Sequence, residues 1–246
     1  MTAALISLVR PDGRCLVRSR GGWTAPTAVA AAELAERRGR PALVHVDVAA
    51  TDEQAVLHEA GFVEARRDVR AELSVPAALA ALADARLPAG VVLRSAADVD
   101  ENRLRLLDDE LRQDVPSTDG WRSTAAEFRE HTFGDSAFDL RTYLVAVDCE
   151  PDAYLGLVRV WINPDGPRLG MVGVRRPYRR RGLASALLGH VLTVVDSLGA
   201  RLVIFEADLA NGPSQAFFAR LDPRPTGITV ELVYEPRSEG EEARVA

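Results

Sequence analysis

The amino-acid sequence predicts a mixed α/β protein with a mostly antiparallel sheet flanked by helices. Short runs rich in β-branched residues alternate with helical patterns along the whole chain, as they do in α/β folds. An Asn-Pro-Asp-Gly turn at 163–166 joins two strand patterns into an antiparallel hairpin. The order of elements in the first 76 residues recurs in the second half of the chain, which indicates an internal duplication.

The second half carries the longer set of patterns. Apolar residues at 183, 187, 191, 194 and 198 share one face of a helix, and Gly199 is well placed to end it. We predict strands at 142–148, 154–162, 168–174, 202–205 and 228–234, and helices at 98–113, 124–132, 183–198 and 212–220.

The first half is a shorter version of the same order. Gly21 precedes Leu43 by 22 residues, and Gly182 precedes Leu202 by 20. Strand patterns at 4–9, 14–18, 43–48 and 69–75 surround helical patterns at 26–38 and 52–59. We therefore predict a degenerate partial domain at 1–76, an alanine-rich connector at 77–90, a complete domain at 91–236 and a charged tail at 237–246.

The composition is that of an ordinary globular protein, with 47% hydrophobic and 27% charged residues among 246. Lys+Arg is 30 against Asp+Glu 36, a net charge of −6, so we expect no nucleic-acid partner. All 30 basic residues are arginine. Without lysine there is no Walker A phosphate site, no Schiff base to pyridoxal phosphate and no protein-kinase ATP site.

The cysteines and histidines show no metal-ligand spacing. Cys15 and Cys149 lie far apart, and no His-x-x-x-His or Cys-x-x-Cys pattern occurs, so we expect no metal. The start of the chain has only a short apolar run before Arg10, and no apolar stretch reaches 18 residues. We therefore expect a cytoplasmic protein with no membrane partner.

The densest chemical signal lies between the predicted strand at 168–174 and the helix at 183–198. Five arginines fall within the seven positions 175–181, and Gly182 and Ala184 follow. A helix that begins there presents unpaired N–H groups and the positive end of its dipole, and small residues let a bulky anion approach. The segment is therefore a candidate pyrophosphate site. A solvated basic loop or a patch for an acidic partner is the alternative.

At this point the sequence resembles the GNAT family of N-acetyltransferases, over about 91–234. The segment 179–184, Arg-Arg-Arg-Gly-Leu-Ala, is similar to the family's Arg/Gln-x-x-Gly-x-Gly/Ala signature. A second segment, 211–218, resembles the Asn-x-x-Ala-x-x-x-Tyr pattern, with Ser214 and Phe218 in the last two named slots. The resemblance implies acetyl-CoA as co-substrate, bound by Val172, Gly173, Val174, Arg179, Arg180, Arg181, Gly182, Leu183, Ala184, Ser185, Asn211, Ser214 and Phe218.

Tandem members of the family exist, and mycothiol synthase is one. In the first copy the loop reads Arg-Ser-Arg-Gly-Gly-Trp at 18–23. An indole at Trp23, where the family has Gly or Ala, blocks close approach of a pyrophosphate, so we expect the first copy to be structural. A second acyl-CoA bound there is the alternative.

The family's usual tyrosine is Phe218 here, and its usual carboxylate on the fourth strand is absent from 168–174. Ser214 and Tyr234 are candidate acids for the departing thiolate. Glu206, at the end of a predicted strand, and Asp114, after the first long helix, are the candidate carboxylates.

Candidate residues of the acceptor region lie around Asp114 and two tryptophans. Asp108, Asp109 and Glu110 are expected on a solvated helix face, and a carboxylate cluster that includes Asp114 would attract a cationic amine. Trp121 and Trp161 either line the acceptor pocket or pack in the core.

The sequence therefore predicts an N-acetyltransferase that transfers acetyl from acetyl-CoA to a primary amine of a small molecule by direct attack, as a monomer or homodimer. A catalytically weak acyl-CoA-binding sensor is one alternative. Mycothiol-synthase-like acetylation of a sugar-linked cysteine amine is another.

Overall fold

The structure is a computed structural model that describes residues 5–116, 118 and 120–237. The chain divides into two compact units, Met1–Val69 with Gly227–Ala246, and Arg70–Thr226. Apart from Arg237, the predicted tail at 237–246 lies outside the described residues, as does residue 4 of the first predicted strand.

Ten strands and seven α-helices make up the fold of the described residues. In chain order they are β1 (Leu5–Val9), β2 (Cys15–Ser19), α1 (Ala25–Arg38), β3 (Ala42–Asp47), α2 (Thr51–Glu59), β4 (Val63–Ser74), α3 (Val75–Ala81), β5 (Val91–Ser95), α4 (Glu101–Arg112), α5 (Ala125–His131), β6 (Tyr143–Asp148), β7 (Ala153–Asn163), β8 (Gly166–Val174), α6 (Leu183–Ser197), β9 (Leu202–Asp208), α7 (Gly212–Ala219) and β10 (Arg224–Tyr234).

In the first unit the strand order is β1-β2-β3-β10-β4. The last strand of the chain is antiparallel to β3, with Thr229 opposite Asp47 and Tyr234 opposite Ala42. Helix α1 contributes four buried alanines to a core that includes Phe62 and Leu232. Alanine has almost no side chain, so α1 packs closely on the strands.

In the second unit strands β5 to β8 form an antiparallel meander, and β9 adds in parallel beside β8. The predicted turn pairs Asn163 with Gly166. Every residue from Tyr154 to Val160 in β7 is buried. Successive side chains point to opposite faces, so both faces of β7 are covered. Helices α4 and α6 are the elements packed on it.

The predicted fold class, a mixed α/β architecture with a mostly antiparallel sheet, is confirmed. The structure adds two elements within and just after the predicted connector, α3 and β5. Helix α3 begins after Ser74, whose hydroxyl accepts a hydrogen bond from Ala77 N–H. No helix in the described part of the chain is long and apolar enough to span a membrane.

Candidate active site

The candidate site begins where two parallel strands of the second unit separate. Strands β8 and β9 pair at Arg168 and Ile204, and among the described residues no further pair joins them toward their carboxyl ends. Because they run in the same direction, the gap opens at their carboxyl ends. In open α/β sheets this is where ligands bind.

The backbone of β8 faces this gap with unused hydrogen-bonding groups. Arg175 N–H donates to Leu155 O of β7 at 2.8 Å. Backbone groups alternate in direction along a strand, so those of Val172 and Val174 point away from β7, toward the gap. The carbonyl of Val174 accepts a 2.8 Å hydrogen bond from Arg179 Nε. In the described part of the chain, no strand pairs with β8 at Val172 on the side of the gap, so the N–H and C=O of Val172 are available to an extended ligand.

A single carboxylate at the end of α4 holds the loop that follows β8. Asp114 accepts a 2.8 Å hydrogen bond from Arg176 Nε and also binds Arg179. Burial raises the pKa of Asp114, but the hydrogen bonds from the two guanidinium groups outweigh it and hold the pKa below its ordinary value. Two of the loop arginines are therefore positioned by the protein itself.

The rest of the loop is shaped to receive an anion. Arg180 and Gly182 both have left-handed backbone, with φ of 59° and 78°. Turns with left-handed residues form concavities of N–H groups that bind anions. Helix α6 starts directly afterwards, and no side chain caps its first turn. Among the described residues, neither Arg180 nor Arg181 has an acidic partner, so both cations are free for a ligand.

The first unit shows the opposite arrangement at the corresponding helix. Helix α1 begins with Thr24 and Thr27, and Thr27 Oγ1 accepts a 2.8 Å hydrogen bond from Thr24 N–H. Trp23, at the loop's end, is buried in the core of this unit. The start of α1 is therefore satisfied by the protein's own hydroxyl groups.

Helix α7 packs against β9, which forms the other side of the gap. Asn211 Oδ1 caps the helix by accepting a 3.1 Å hydrogen bond from Ser214 N–H. Phe218 is buried and its ring stacks on Phe205 of β9, with centroids 4.2 Å apart. The phenyl ring is thus part of the packing that orients β9.

The three residues named for acid or base roles lie in three different places. Glu206 of β9 pairs with Arg168 Nη2 at 3.0 Å. Asp114 binds the loop arginines, as described above. Tyr234 lies in the first unit, where its hydroxyl donates a 2.6 Å hydrogen bond to Glu36.

Several side chains of β7, β8 and β9 lie on one face of these strands, and the sequence alone identified only some of them. Trp161 of β7 lies opposite Arg168 of β8, which lies opposite Ile204 of β9. Directly opposite residues share a face, and so do residues two apart in one strand. Arg159 of β7 and Glu206 of β9 therefore belong to the same face as this row.

The strand β8 carries one extra residue beside this row. Arg159 is opposite Met171 and Val160 is opposite Leu169, so Gly170 forms a β-bulge. A Cβ atom on Gly170 would lie 2.6 Å from Trp161 Nε1 and 3.4 Å from Arg159 Nε. A glycine within a strand pattern is the sequence signal that points to such a bulge.

Helix α4, which packs on β7, carries a buried carboxylate next to this row. Asp108 forms ion pairs with Arg112 and Arg159, at 2.5 and 3.4 Å. Burial raises the pKa of Asp108, but the two guanidinium groups together lower it below its ordinary value. The prediction that Asp108 and Asp109 lie on a solvated helix face is therefore wrong. Both residues are buried, Asp109 beside Arg105, because arginines one turn away along the helix neutralise the two carboxylates.

Glu110, the third acidic residue of this helix segment, is exposed and binds Arg175 at 2.9 Å. Trp161 is half-buried at the row, and Trp121 packs its ring 4.3 Å from the Arg112 guanidinium. In the parts of the chain that the structure describes, no group of three His, Cys, Asp or Glu side chains could hold a metal ion.

The site lies within a stretch with a recognisable family. Residues 105–222 match the model of the Acetyltransferase (GNAT) family. These residues form a GNAT acetyltransferase domain. They run from α4 to the turn after α7, so the domain contains the β8–β9 gap and the arginine loop, and the sequence resemblance is confirmed. Proteins of this family use acetyl-CoA and an acceptor substrate, and the chain is accordingly an acyltransferase.

Solved structures with the GNAT fold resemble nearly the whole chain. A GCN5-related N-acetyltransferase from Sphaerobacter thermophilus has a TM-score of 0.71 at 19% identity, covering 95% of this chain and 76% of that one. A tandem GNAT protein from the clavulanic acid biosynthesis pathway has a TM-score of 0.64 at 20% identity, covering 94% and 77%.

A GCN5-related N-acetyltransferase from Kribbella flavida has a TM-score of 0.61 at 16% identity and covers 98% of this chain and 90% of its own. At these identities the likeness concerns the fold. A search of the curated proteins found no sequence match.

Proposed function

We propose that the protein is an acetyl-CoA-dependent N-acetyltransferase that acetylates a primary amine of a small molecule. The observation that carries the proposal is the gap between β8 and β9, which opens onto the uncapped start of α6. A strand edge with free backbone groups and a helix start with free N–H groups suit a ligand that combines an amide-containing arm with a pyrophosphate.

In this proposal the pyrophosphate is bound by the N–H groups of Gly182, Leu183, Ala184 and Ser185, with Arg180 and Arg181 as free cations. Arg179 is held by Asp114 and by Val174 O, so it shapes the loop. The pantetheine arm follows the β8 backbone at 172–174. Asn211, Ser214 and Phe218 form the α7 side of the gap.

A coenzyme that runs from the arginine loop along the β8 backbone places its thioester end toward Gly170 and the row of Trp161, Arg168 and Ile204. Glu206 lies on the same face, two residues beyond Ile204. We assign Glu206 as the base that takes the proton from the acceptor amine. Its present partner is Arg168 at 3.0 Å, a partly exposed pair that an arriving ammonium group can replace.

The mechanism uses no protein acid for the departing thiolate. Phe218 has no proton to donate, and the Tyr234 hydroxyl already donates a hydrogen bond to Glu36 in the first unit. A thiol has an ordinary pKa of about 8.5, so the thiolate is an adequate leaving group. The acceptor ammonium gives one proton to Glu206, and the neutral amine then attacks the thioester carbonyl. As the carbon–sulfur bond breaks, the second amine proton passes to the departing thiolate or to water.

The test is release of coenzyme A thiol from acetyl-CoA in the presence of a panel of primary amines that includes a sugar-linked cysteine. We expect release that depends on the amine and yields the acetylated amine in equal amount. Tight acetyl-CoA binding without turnover of any amine would overturn the proposal and favour an acyl-CoA-binding sensor. The sugar-linked cysteine alone being a substrate would identify a mycothiol-synthase-like acceptor.

A further inference from the structure

Strand β9 exposes apolar side chains next to the assigned base. Exposed and buried residues alternate over 202–207, so Leu202, Ile204 and Glu206 lie on the exposed face of the strand. Leu202 and Ile204 are 46% and 41% exposed, although both are large and apolar. Trp161, in the same row as Ile204, is half-buried. Neighbouring exposed apolar side chains beside a polar functional group are typical of a ligand-binding surface.

Helix α4 covers part of the same face. Arg159 of β7 pairs with Asp108 of this helix, and a Cβ atom on Gly173 of β8 would lie 3.0 Å from Leu111 Cδ1. Ile204 shares the face with these two strand positions and is exposed. The surface at Ile204 is therefore open to a ligand, and it continues from the part of β8 that we assign to the thioester.

The charges near this surface disfavour a substrate with several ammonium groups. Each of the following carboxylates at the end of α4 binds at least one arginine: Asp108, Asp109, Glu110 and Asp114. Asp108 and Asp114 each bind two, so arginines outnumber carboxylates in these pairs. Asp208, beyond Glu206 on β9, is buried and accepts a hydrogen bond from Ala210 N–H. The exposed carboxylate of β9, Glu206, suits one ammonium group, which replaces Arg168 as its partner.

The spacing along β9 defines the rest of the acceptor. Two residues of a strand span about 6.6 Å, so an amine held at Glu206 can lay its substituent over Ile204. We propose that the acceptor is a monoamine with an apolar alkyl or aryl substituent, which packs on Ile204 and extends toward Leu202 while its ammonium group binds Glu206. This inference rests on the proposed function and names the class of its acceptor.

The test compares butylamine, hexylamine and hexamethylenediamine as acceptors for the wild-type protein and Ile204→Thr. We expect the wild-type kcat/KM for hexylamine to exceed that for butylamine about 4- to 15-fold, because a fully buried methylene group is worth about fourfold. The diamine, which has the same chain with a second ammonium group, should be at least about 10-fold worse than hexylamine. Ile204→Thr keeps a β-branched side chain but adds a hydroxyl, and should lower the preference for hexylamine over butylamine to less than about threefold.

Leu140→Thr is the matched control. Leu140 is also an exposed leucine, and its carbonyl accepts a hydrogen bond from Ser95 of β5, four strands away from β9 in the sheet. This variant should keep both wild-type preferences. A diamine that is used as well as hexylamine, or a preference for the longer chain that Ile204→Thr leaves intact, would overturn the inference.

A binding measurement separates this inference from the proposed function. Hexylamine and hexamethylenediamine are titrated by calorimetry into the protein saturated with coenzyme A, which carries no acetyl group to transfer. Tighter binding of hexylamine that Ile204→Thr weakens supports the apolar surface even if no acetylation is seen. Hexylamine that fails to bind, or binds no more tightly than the diamine, counts against the inference even if another amine is acetylated. Thermal unfolding of both variants checks that they are folded.

Discussion

Asp114 accepts a 2.8 Å hydrogen bond from Arg176 Nε, and this contact joins the end of α4 to the loop that follows β8. The same carboxylate binds Arg179, whose Nε reaches back to Val174 O. The helix at one side of the acceptor region thereby sets the shape of the loop that we assign to the coenzyme.

Asp114→Asn is expected to weaken acetyl-CoA binding about two- to fivefold, since partly exposed ion pairs contribute up to about 1 kcal/mol. Isothermal titration calorimetry measures the dissociation constant. Asp196→Asn, which breaks a pair with Arg201 beyond the far end of α6, serves as the control. Equal affinities of Asp114→Asn and the wild type would show that this contact does not organise the loop.

Gly182→Val is expected to abolish measurable acetyl-CoA binding. No atom outside its chain neighbours lies within 4 Å of a Cβ at this position, but its φ of 78° disfavours a β-branched residue, so the loop must change shape. Gly199→Val is the matched control, because Gly199 has a φ of 84° with the same open surroundings and lies after α6. Both variants should lose comparable stability, and retained coenzyme binding in Gly182→Val would exclude the loop as the binding site.

Glu206→Gln is expected to lower kcat by about 10²- to 10⁴-fold, the range typical of a lost general base, with acetyl-CoA affinity unchanged. Steady-state thiol release and calorimetry give the two numbers. Glu72→Gln removes the partner of Arg224, another carboxylate–arginine pair of the second unit, and should leave kcat as it is. A Glu206→Gln protein with the wild-type kcat would require a different proton acceptor.

Asp108→Asn is expected to destabilise the protein by about 3–5 kcal/mol, because the buried guanidinium of Arg159 and the partly buried one of Arg112 lose their carboxylate. Urea unfolding measures the change. Glu101→Gln on the same helix removes an exposed pair with Arg129 and should cost less than about 1 kcal/mol. Similar losses in the two variants would mean that the buried cluster is not a source of stability.

The same residue gives a pH prediction. The pKa of Asp108 is lower in the folded state than its ordinary value of about 3.9, so the folded state favours the charged form. Its contribution to stability is complete above that value and is lost as pH falls through the lower folded pKa. Urea midpoints between pH 5 and pH 2 should therefore fall less steeply in Asp108→Asn than in the wild type. Identical slopes would contradict the assignment.

Much of this protein follows from local sequence patterns. Apolar positions on one face predicted α6, whose buried residues include Leu187 and Val191, and turn residues predicted the hairpin that pairs Asn163 with Gly166. The arginine loop and Gly182 identified a candidate anion site because helix starts and left-handed glycines have the same chemistry in any fold. These properties depend on residues close together in the chain.

Other properties depend on which distant residues meet, and only the tertiary structure decided them. The burial of Asp108 depends on Arg159, a residue 51 positions away on β7. The row of Trp161, Arg168 and Ile204 depends on strand register, and the close contact of Trp161 with Gly170 depends on a bulge. A shift of one residue in register would move each side chain to the other face, and no local pattern determines that choice. The sequence by itself thus determined most of the helices and strands and located the arginine loop, and the tertiary packing decided which distant side chains meet beside that loop.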